Sequence, residues 1–384
     1  MNPRVKQVLI HIGLFAVTFV TTTLAGAEWV YSRSVFDPTF SWHDFALGLP
    51  YSVAFLSILT VHEFGHYFTA LYYRVRVTLP YYIPLPPGFM LFGTLGALIR
   101  LKERVRSTKV NFDIGIAGPL AGFILAVGIL AYGFTHLPPA EYVFQFHPDY
   151  EKYGLDYANH VYPPAPMPPG VIDIKLGKSL LYSWMERLAD DPRAVPNPHE
   201  IIHYPLLFAG YLALVFTSIN LLPIGQLDGG HVLYGLIGHR RHRLVASIIF
   251  GLFIFYAGLG YINPASPGDQ LFWEIPLFIG FLYLCFTGLR LHWQNTLMIA
   301  LAVFTAQYVL ATAFPGIKGY SGWLFFGLLL GRFVGVPHPP AEVEEKLSLG
   351  RQILGWLALV ILLITFVPNP IEIFETLPPT DGAP

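Results

Sequence analysis

Apolar residues form long runs along the chain, and the polar residues are concentrated between these runs. A helix needs about 20 apolar residues to cross the hydrocarbon core of a bilayer, and nine runs approach or exceed that length. They cover residues 8–30, 44–73, 111–134, 201–238, 244–263, 271–289, 294–313, 321–336 and 352–368. The pattern predicts an α-helical polytopic integral membrane protein with about eight or nine transmembrane helices.

The composition agrees with a chain that lies in a lipid bilayer. Hydrophobic residues make up 54% of the 384 residues and charged residues only 12%, which is too apolar for a soluble domain of this length. A net charge of −1 gives no reason to expect a nucleic-acid partner, and it does not indicate an oligomeric state. The single cysteine, Cys285, excludes an internal disulfide and a cysteine-rich metal site.

The positive charges predict how the chain is oriented. With a cytoplasmic N-terminus, 16 of the 23 Lys and Arg residues lie on the cytoplasmic side, as the positive-inside rule requires. The longest gap between runs, 135–200, is then an external soluble insert with at most one amphipathic helix near 177–189. The first run is too long for a signal-peptide core, and no plastid-type transit peptide precedes it. We therefore expect a retained anchor and a bacterial cytoplasmic (inner) membrane.

Two histidines and a glutamate interrupt the second run, in the sequence LTVHEFGHYFTA from Leu59 to Ala70. His62 and His66 are four residues apart and therefore lie one turn apart on one face of a helix, with Glu63 beside them. This H-E-x-x-H spacing is typical of zinc sites in which the glutamate acts as general base. The alternative is a pair of histidines that only hydrogen-bond between packed helices. A glutamate inside a span favours a functional site.

Catalytic zinc usually has three protein ligands, so the two histidines predict a third ligand elsewhere. Asp228 is the candidate, because it is a second carboxylate in an apolar run whose prolines and glycines prevent a regular helix. It lies 12 residues before Arg240, which places it about 18 Å from the cytoplasmic edge. His66 lies eight residues before Arg74, about 12 Å from the same edge. The comparable depth favours a shared site, and the alternative is that Asp228 only caps the next helix.

These two segments resemble the site-2 proteases, a family of intramembrane zinc metalloproteases. The family combines H-E-x-x-H on one span with N-x-x-P-x-x-x-L-D-G on a later one, and this chain has HEFGH at 62–66 and NLLPIGQLDG at 220–229. The sequence between them, GTLGALIRLKERVRSTKVNFDIGIAGPLAGF, is similar to the branch without a PDZ domain. In it, Gly118 and Gly122 have the small-xxx-small spacing of a close helix contact. The resemblance covers roughly residues 50–240.

The resemblance implies roles for individual residues. His62, His66 and Asp228 are expected to hold one zinc ion per chain. Glu63 is expected to act as general base toward a zinc-activated water. The expected partners are the lipid bilayer and transmembrane protein substrates, which are cut in regulated intramembrane proteolysis. Asn220 is the family position near the substrate backbone, and its alternative role is a hydrogen bond between helices.

A proline- and glycine-rich segment follows the motif helix, YYIPLPPGFMLFGTLGALIRL from Tyr81 to Leu101. The prolines exclude a continuous helix, and Gly93 and Gly96 interrupt residues that favour β-structure. We interpret the segment as a short re-entrant β-like hairpin near the active site, with Gly93 and Gly96 as candidate substrate-binding residues. Its edge would bind an extended substrate by strand addition. The alternative is a purely structural cytoplasmic loop.

The other histidines give weaker signals. His231 follows the proposed aspartate ligand by three residues and is either a partner behind that ligand or a packing residue. His239 and His242 lie in a basic stretch and are expected to face solvent or lipid headgroups. His199 and His203 of the insert have no partner at ligand spacing with an acidic residue in a span.

The sequence predicts five segments along the chain, and three other functions are alternatives to the protease. The segments are an N-terminal anchor span and loop at 1–43, the first part of the catalytic core at 44–134, the insert at 135–200, the second part of the core at 201–243 and C-terminal transmembrane helices at 244–384.

A transporter would also bury ionisable residues, but no inverted repeat is evident. An inactive metal-binding scaffold would not need the intact Glu63. A zinc protease of the type that processes prenylated C termini would need a glutamate ligand in a later span, and none is clear.

Overall fold

The computed structural model describes residues 3–88, 92–162 and 172–375, and these residues are mostly helical. The α-helices are α1 (Pro3–Tyr31), α2 (Trp42–Leu47), α3 (Leu49–Tyr72), α4 (Thr108–Thr135), α5 (Ala158–Val161), α6 (Leu180–Met185), α7 (Pro205–Asn220), α8 (Asp228–Gly258), α9 (Gly268–Phe286), α10 (Trp293–Ala313), α11 (Gly322–Leu329) and α12 (Leu349–Thr365). The strands are β1 (Tyr81–Pro84), β2 (Thr94–Leu98), β3 (Ile172–Leu176) and β4 (Ile371–Glu375). Short 3-10 turns cover Ala140–Gln145, Pro148–Asp156, Glu186–Leu188, Pro192–Ala194, Ile201–His203 and Thr287–Leu289, and a π-helical turn covers Leu330–Val334.

Five of the described helices are long and apolar enough to cross a membrane, so the chain is an integral membrane protein. They are α1, α4, α8, α9 together with the 3-10 turn that follows it, and α10, while α7, α11 with its π-turn and α12 are shorter apolar helices. Helix α3 has 24 residues but is not among the five, because His62, Glu63 and His66 lower its mean hydropathy. The predicted polytopic helical architecture is confirmed.

The chain divides into two compact units. The first consists of the described residues of Met1–Glu103, Leu120–Ser218 and Leu363–Pro384, and the second of Arg104–Pro119 and Ile219–Leu362. The first unit therefore contains the HEFGH helix, the hairpin and the insert. The second contains the start of α4, the NLLPIGQLDG segment and the helices that follow it.

In the first unit, α1 packs closely against α2 and α3. Gly48, between α2 and α3, has no room for a side chain, because an added Cβ would lie 1.9 Å from the carbonyl oxygen of Thr23. The hydroxyl groups of Thr22 and Ser52 are hydrogen-bonded at 2.7 Å across the same contact. The predicted span 44–73 is therefore two helices joined at a glycine that α1 holds in place.

Strands β1 and β2 form the predicted hairpin, as an antiparallel pair. Residues 89–91, between the two strands, lie outside the described residues. The hairpin lies along α1, where His11 Nδ1 is 3.0 Å from the carbonyl oxygen of Pro80. The Thr21 hydroxyl donates a hydrogen bond to the carbonyl oxygen of Gly93 at 2.7 Å. Helix α1 thus holds both sides of the hairpin.

The insert has more structure than the sequence indicated. A short helix, α6, lies where one was predicted, but the insert also contains α5, several 3-10 turns and strand β3. The expectation of at most one helix was wrong, because Val143, Tyr157 and Tyr162 form a small core that stabilises turns too short to show a periodic pattern. Strand β3 pairs with β4, which follows the last helix. Residues 163–171 of the insert lie outside the described residues.

The predicted spans 201–238 and 244–263 have the wrong limits. Helix α7 ends at Asn220 and α8 begins at Asp228, so the first of these spans is broken at its centre. Helix α8 then continues to Gly258, and the basic stretch 239–243 is helical rather than a loop. Only Gly238 departs from helical geometry, with φ 76° and ψ 168°. Long basic side chains can extend from a helix into polar surroundings, so they do not require the helix to end.

In the second unit, the start of α4 is held by α12 and by the segment that precedes it. The guanidinium of Arg351 binds the Asp113 carboxylate through two nitrogens, each 2.8 Å from an oxygen. The backbone N–H of Thr108 donates to the carbonyl oxygen of Val343 at 3.0 Å. These contacts fix the first turns of α4 within the unit.

Candidate metal centre

Helix α3 presents His62, Glu63 and His66 as the sequence predicts. The two histidines lie one turn apart, and their Nε2 atoms are 3.1 Å from each other. All three residues are buried, with only 6–7% of their surface exposed. Two nitrogen ligands of tetrahedral zinc, with Zn–N bonds of about 2.0–2.1 Å, are separated by about 3.3 Å. The two imidazoles therefore fit a zinc ion bound by both Nε2 atoms.

Helix α4 approaches the histidine face of α3 closely at Gly122. An added Cβ at this glycine would lie 3.0 Å from the Cβ of His62 and 3.4 Å from its Nδ1. A larger residue would press on the imidazole, so the contact depends on a residue without a side chain. The close helix contact that the spacing of Gly118 and Gly122 predicted is confirmed at Gly122.

The carboxylate of Glu63 lies beside the histidine pair, with Oε1 4.0 Å from the Nε2 of His62. One turn earlier on α3, the hydroxyl oxygen of Thr60 is 2.8 Å from that of Tyr82. Tyr82 belongs to β1, so this hydrogen bond connects the hairpin directly to the motif helix. The predicted position of the hairpin near the motif is confirmed.

Asp228 is the first residue of α8 and follows a tight, non-helical connection. Gly229 has no room for a side chain, because an added Cβ would lie 1.8 Å from the carbonyl oxygen of Leu221. The cap position of α8 is occupied by Leu227, whose side chain makes no capping hydrogen bond. Asp228 follows it in the first turn of the helix.

The predicted ligands are His62 and His66 on α3 of the first unit and Asp228 on α8 of the second. Two imidazole nitrogens and one carboxylate oxygen match the donors that catalytic zinc uses, and this ligand set stays a prediction. A second group of described side chains that could hold a metal ion, His147, Glu200 and His203, lies in the insert and was not predicted.

The second group contains part of another H-E-x-x-H sequence, HEIIH at 199–203, which the sequence interpretation missed. Only its last three residues are helical, as a 3-10 turn, so His199 and His203 do not share a face. Instead, Glu200 and His203 lie against His147. The HEIIH sequence could have identified Glu200 and His203 as candidate ligands. No sequence pattern connects them with His147, more than 50 residues earlier.

Burial sets the charge state of this second group. It lowers the pKa of His203 to about 4 and also lowers the pKa of His147. It raises the pKa of Glu200 to about 7. Both imidazoles are therefore uncharged at neutral pH, which is the form of histidine that binds metals.

The histidines of α8 make contacts that the sequence did not show. His231 Nδ1 is 2.8 Å from the Nε2 of His338, and an added Cβ at Gly115 of α4 would lie 2.6 Å from the Cβ of His231. His242 is fully buried, so the expectation that it faces solvent or headgroups was wrong. Because α8 continues through the basic stretch, this side chain is turned inward while the neighbouring arginines are exposed.

The candidate substrate-binding residues have different surroundings. Gly93, with φ 68°, packs on α1, because an added Cβ would lie 2.5 Å from the carbonyl oxygen of Thr21. Gly96 has φ 104°, and no described atom lies within 4 Å of an added Cβ. Asn220 is the last residue of α7. A role in substrate binding stays a prediction for all three.

The chain is similar to known zinc metalloproteases. The model of peptidase family M50 matches residues 50–259, more than half of the chain. The probable chloroplastic zinc metalloprotease EGY1 of Arabidopsis thaliana is 35% identical over 212 residues, which are 54% of this chain and 32% of that protein. The EGY1 protein of Oryza sativa subsp. japonica is 33% identical over 196 residues, 50% of this chain and 28% of that protein.

A third chloroplastic relative, the probable zinc metalloprotease EGY2 of Arabidopsis thaliana, is 26% identical over 212 residues, 55% of this chain and 32% of that protein. The chain thus spans about a third of the length of the curated relatives it matches. No solved structure matches it.

Proposed function

Because the chain belongs to peptidase family M50, we propose that it is an intramembrane zinc metalloprotease that hydrolyses peptide bonds in the membrane segments of other proteins. The observation that carries the proposal is the pair of Nε2 atoms of His62 and His66, 3.1 Å apart on the buried face of an apolar helix. Glu63 follows the first histidine directly and is buried with it. A histidine pair that served only packing would not require a buried carboxylate beside it.

The proposed zinc ligands are His62, His66 and Asp228. Their donor atoms, two imidazole nitrogens and one carboxylate oxygen, are those that catalytic zinc uses, and each of the two motif helices packs closely on a glycine within its own unit. Gly122 leaves room for His62, and Gly115, seven residues or two turns earlier, leaves room for His231, which is one turn beyond the aspartate.

The residues of α3 supply the acid–base chemistry. Zinc, when bound, would acidify water and polarise the substrate carbonyl. Glu63 takes the proton from the attacking water at its carboxylate and gives a proton to the nitrogen of the leaving amine. Burial of Glu63 beside the histidines keeps bulk water away from this proton transfer, which strengthens its electrostatic interactions.

The hairpin supplies a place for an extended substrate. In a helical substrate the backbone carbonyl and N–H groups are hydrogen-bonded to each other within the helix. The substrate therefore has to unwind before a peptide bond can be hydrolysed. Strand β2 forms part of a two-stranded sheet and exposes Leu95 and Leu98, which fits the addition of an apolar substrate strand at its edge. Gly93 and Gly96 would then lie beside the substrate backbone, and Asn220 would donate a hydrogen bond to it.

The proposed location is a bacterial cytoplasmic membrane, with the N-terminus and the basic loops in the cytoplasm. The support for this orientation is the excess of Lys and Arg in the segments assigned to the cytoplasmic side. The relatives are named chloroplastic, so a plastid membrane is the competing location. Reporter fusions in the insert and in the 104–107 loop would decide the orientation, since only the loop reporter should be cytoplasmic.

The proposed function is tested with the variant Glu63→Gln in the full chain. We expect cleavage of a single-span model substrate to fall by at least about 100-fold while the bound zinc is retained, because a general base contributes about 10²–10⁴-fold. Glu103→Gln serves as the matched control and should cleave normally, because Glu103 is half-exposed, lies outside the motif helix and pairs with Arg76. Cleavage by Glu63→Gln at the wild-type rate would overturn the mechanism. Membrane proteins that accumulate in cells with this variant would identify the substrates.

A further inference from the structure

A second cluster of metal-binding side chains lies in the insert, beside a cavity of about 860 Å³. His147 and His203 line this cavity, together with Trp29 near the end of α1. The cavity also contains the carboxylate of Asp173. It therefore offers polar walls and space for water next to the two imidazoles.

The donor atoms of the cluster converge on one point. The Nε2 atoms of His147 and His203 lie 3.6 Å and 3.8 Å from the same oxygen, Oε2 of Glu200. The ligand atoms of all three residues lie within 4.8 Å of one another. Tetrahedral zinc ligands are separated by about 3.3 Å, so a small inward movement would bring the three donors to zinc distance.

Glu200 has a hydrogen-bond partner on only one of its two oxygens. The hydroxyl of Tyr162 donates to Oε1, while Oε2 has no hydrogen-bond donor among the described residues. The residue is completely buried. A buried carboxylate oxygen without a donor is costly, and it points here at two imidazole nitrogens. A cation bound between these atoms would satisfy the oxygen.

His203 is oriented as a metal ligand by its other nitrogen. Its Nδ1 lies 2.7 Å from the carbonyl oxygen of Val30, to which it donates a hydrogen bond, so the lone pair is left on Nε2. The ring also stacks on Phe146 at a centroid distance of 4.2 Å. A hydrogen bond from the distal nitrogen to a carbonyl is the usual support of a histidine ligand.

We propose that His147, Glu200 and His203 form a second metal site, separate from the proposed catalytic zinc, that takes Zn²⁺ through two imidazole nitrogens and one carboxylate oxygen. The cavity leaves the fourth position to water. The site joins three parts of the first unit. These are the turn at His147, the turn with Glu200 and His203, and the end of α1, which His203 contacts at the carbonyl oxygen of Val30. Its function is to hold the insert on α1.

The site is tested by zinc content of the purified full chain. Wild type should bind two zinc ions, and the parent variant His62→Asn/His66→Asn should bind one. Adding His203→Asn to the parent variant should remove that ion, because asparagine has no counterpart of the Nε2 ligand atom. The asparagine amide still offers a donor toward the carbonyl oxygen of Val30, so the structural hydrogen bond can be kept. His160→Asn is the control, since His160 lines the same cavity and lies beside Asp156 instead.

The second measurement uses Co²⁺ in place of Zn²⁺ and does not depend on protease activity. The visible absorption of tetrahedral Co²⁺ should appear in the parent, persist with His160→Asn and be lost with His203→Asn. If the parent binds no metal, or if His203→Asn binds as much as the parent, the second site is overturned. If the wild type binds zinc in the insert but does not cleave a single-span model substrate, only the proposed protease function is contradicted.

Discussion

The backbone of Gly122 lies directly against the side chain of His62, so that an added Cβ would be 3.0 Å from the histidine Cβ. The position of one proposed zinc ligand thus depends on a glycine in another helix. We predict that Gly122→Ala weakens zinc binding about tenfold or more, because overpacking costs about 1–3 kcal/mol. The dissociation constant of zinc, measured by competition with a chelator, checks this.

A matched control lies on the same helix. At Gly128 of α4, no described atom lies within 4 Å of an added Cβ. Gly128→Ala should bind zinc as the wild type does. Equal zinc affinities of the two alanine variants would show that His62 tolerates the extra methyl group.

Asp228 is predicted to be the third ligand of the catalytic zinc. Asp228→Asn should lower the zinc affinity at that site by more than about 100-fold, since even the loss of a residue that only supports a ligand costs about 10–100-fold. His231→Asn, one turn later, should keep the zinc, because its Nδ1 binds His338. Zinc content is measured in a chain that carries His203→Asn, so that the insert does not contribute. Full zinc in the Asp228 variant would exclude it as a ligand.

The hydrogen bond between Thr60 and Tyr82 is predicted to hold the hairpin on α3. Thr60→Val and Tyr82→Phe should each lower the free energy of unfolding by about 0.5–1.5 kcal/mol. The double variant should cost little more than either single variant, because both remove the same bond. Thermal unfolding in detergent gives the four values of this cycle. Fully additive effects would mean that the two hydroxyls act independently.

Gly93 and Gly96 are predicted to differ in their tolerance of a side chain. Gly93→Ala should destabilise the chain by about 2–4 kcal/mol, because the left-handed backbone and the contact with Thr21 are both disturbed. Gly96→Ala should cost about 1–2 kcal/mol, from the backbone alone. If Gly96 also lies beside the substrate, the cleavage rate of Gly96→Ala should fall further than its loss of stability explains. Equal stability losses in both variants would contradict the proposed packing on α1.

The sequence was sufficient to predict the parts of the site that depend on helical repeat. His62 and His66 are four residues apart, and any helix through them brings their side chains to one face. The break before Asp228 was predictable too, because Pro223, Gly225, Gly229 and Gly230 interrupt the apolar run there. The same reasoning fails for HEIIH at 199–203, where the local backbone is a 3-10 turn and a four-residue spacing has no such meaning.

The rest of the fold depends on contacts between distant residues. The burial of His242 follows from the continuation of α8 through a basic stretch, and charge alone suggested a loop there. The core of the insert is built from aromatic residues such as Tyr157 on turns of three to nine residues, too short for a periodic signal. The pairing of β3 with β4 has no local signature, because the paired residues lie about 195 residues apart in the sequence.

That pairing has a consequence for biosynthesis. Leu176 of β3 pairs with Ile371 of β4, about 195 residues later. At about 5–20 residues per second, a ribosome makes the second strand roughly 10–40 seconds after the first. During this interval the edge of β3 is open to other strands, so the insert reaches its final form only after the last helix has been inserted. A stop codon between β3 and β4 would therefore leave β3 without its partner strand. The resulting defect would lie in the insert, although the insert itself had been translated in full.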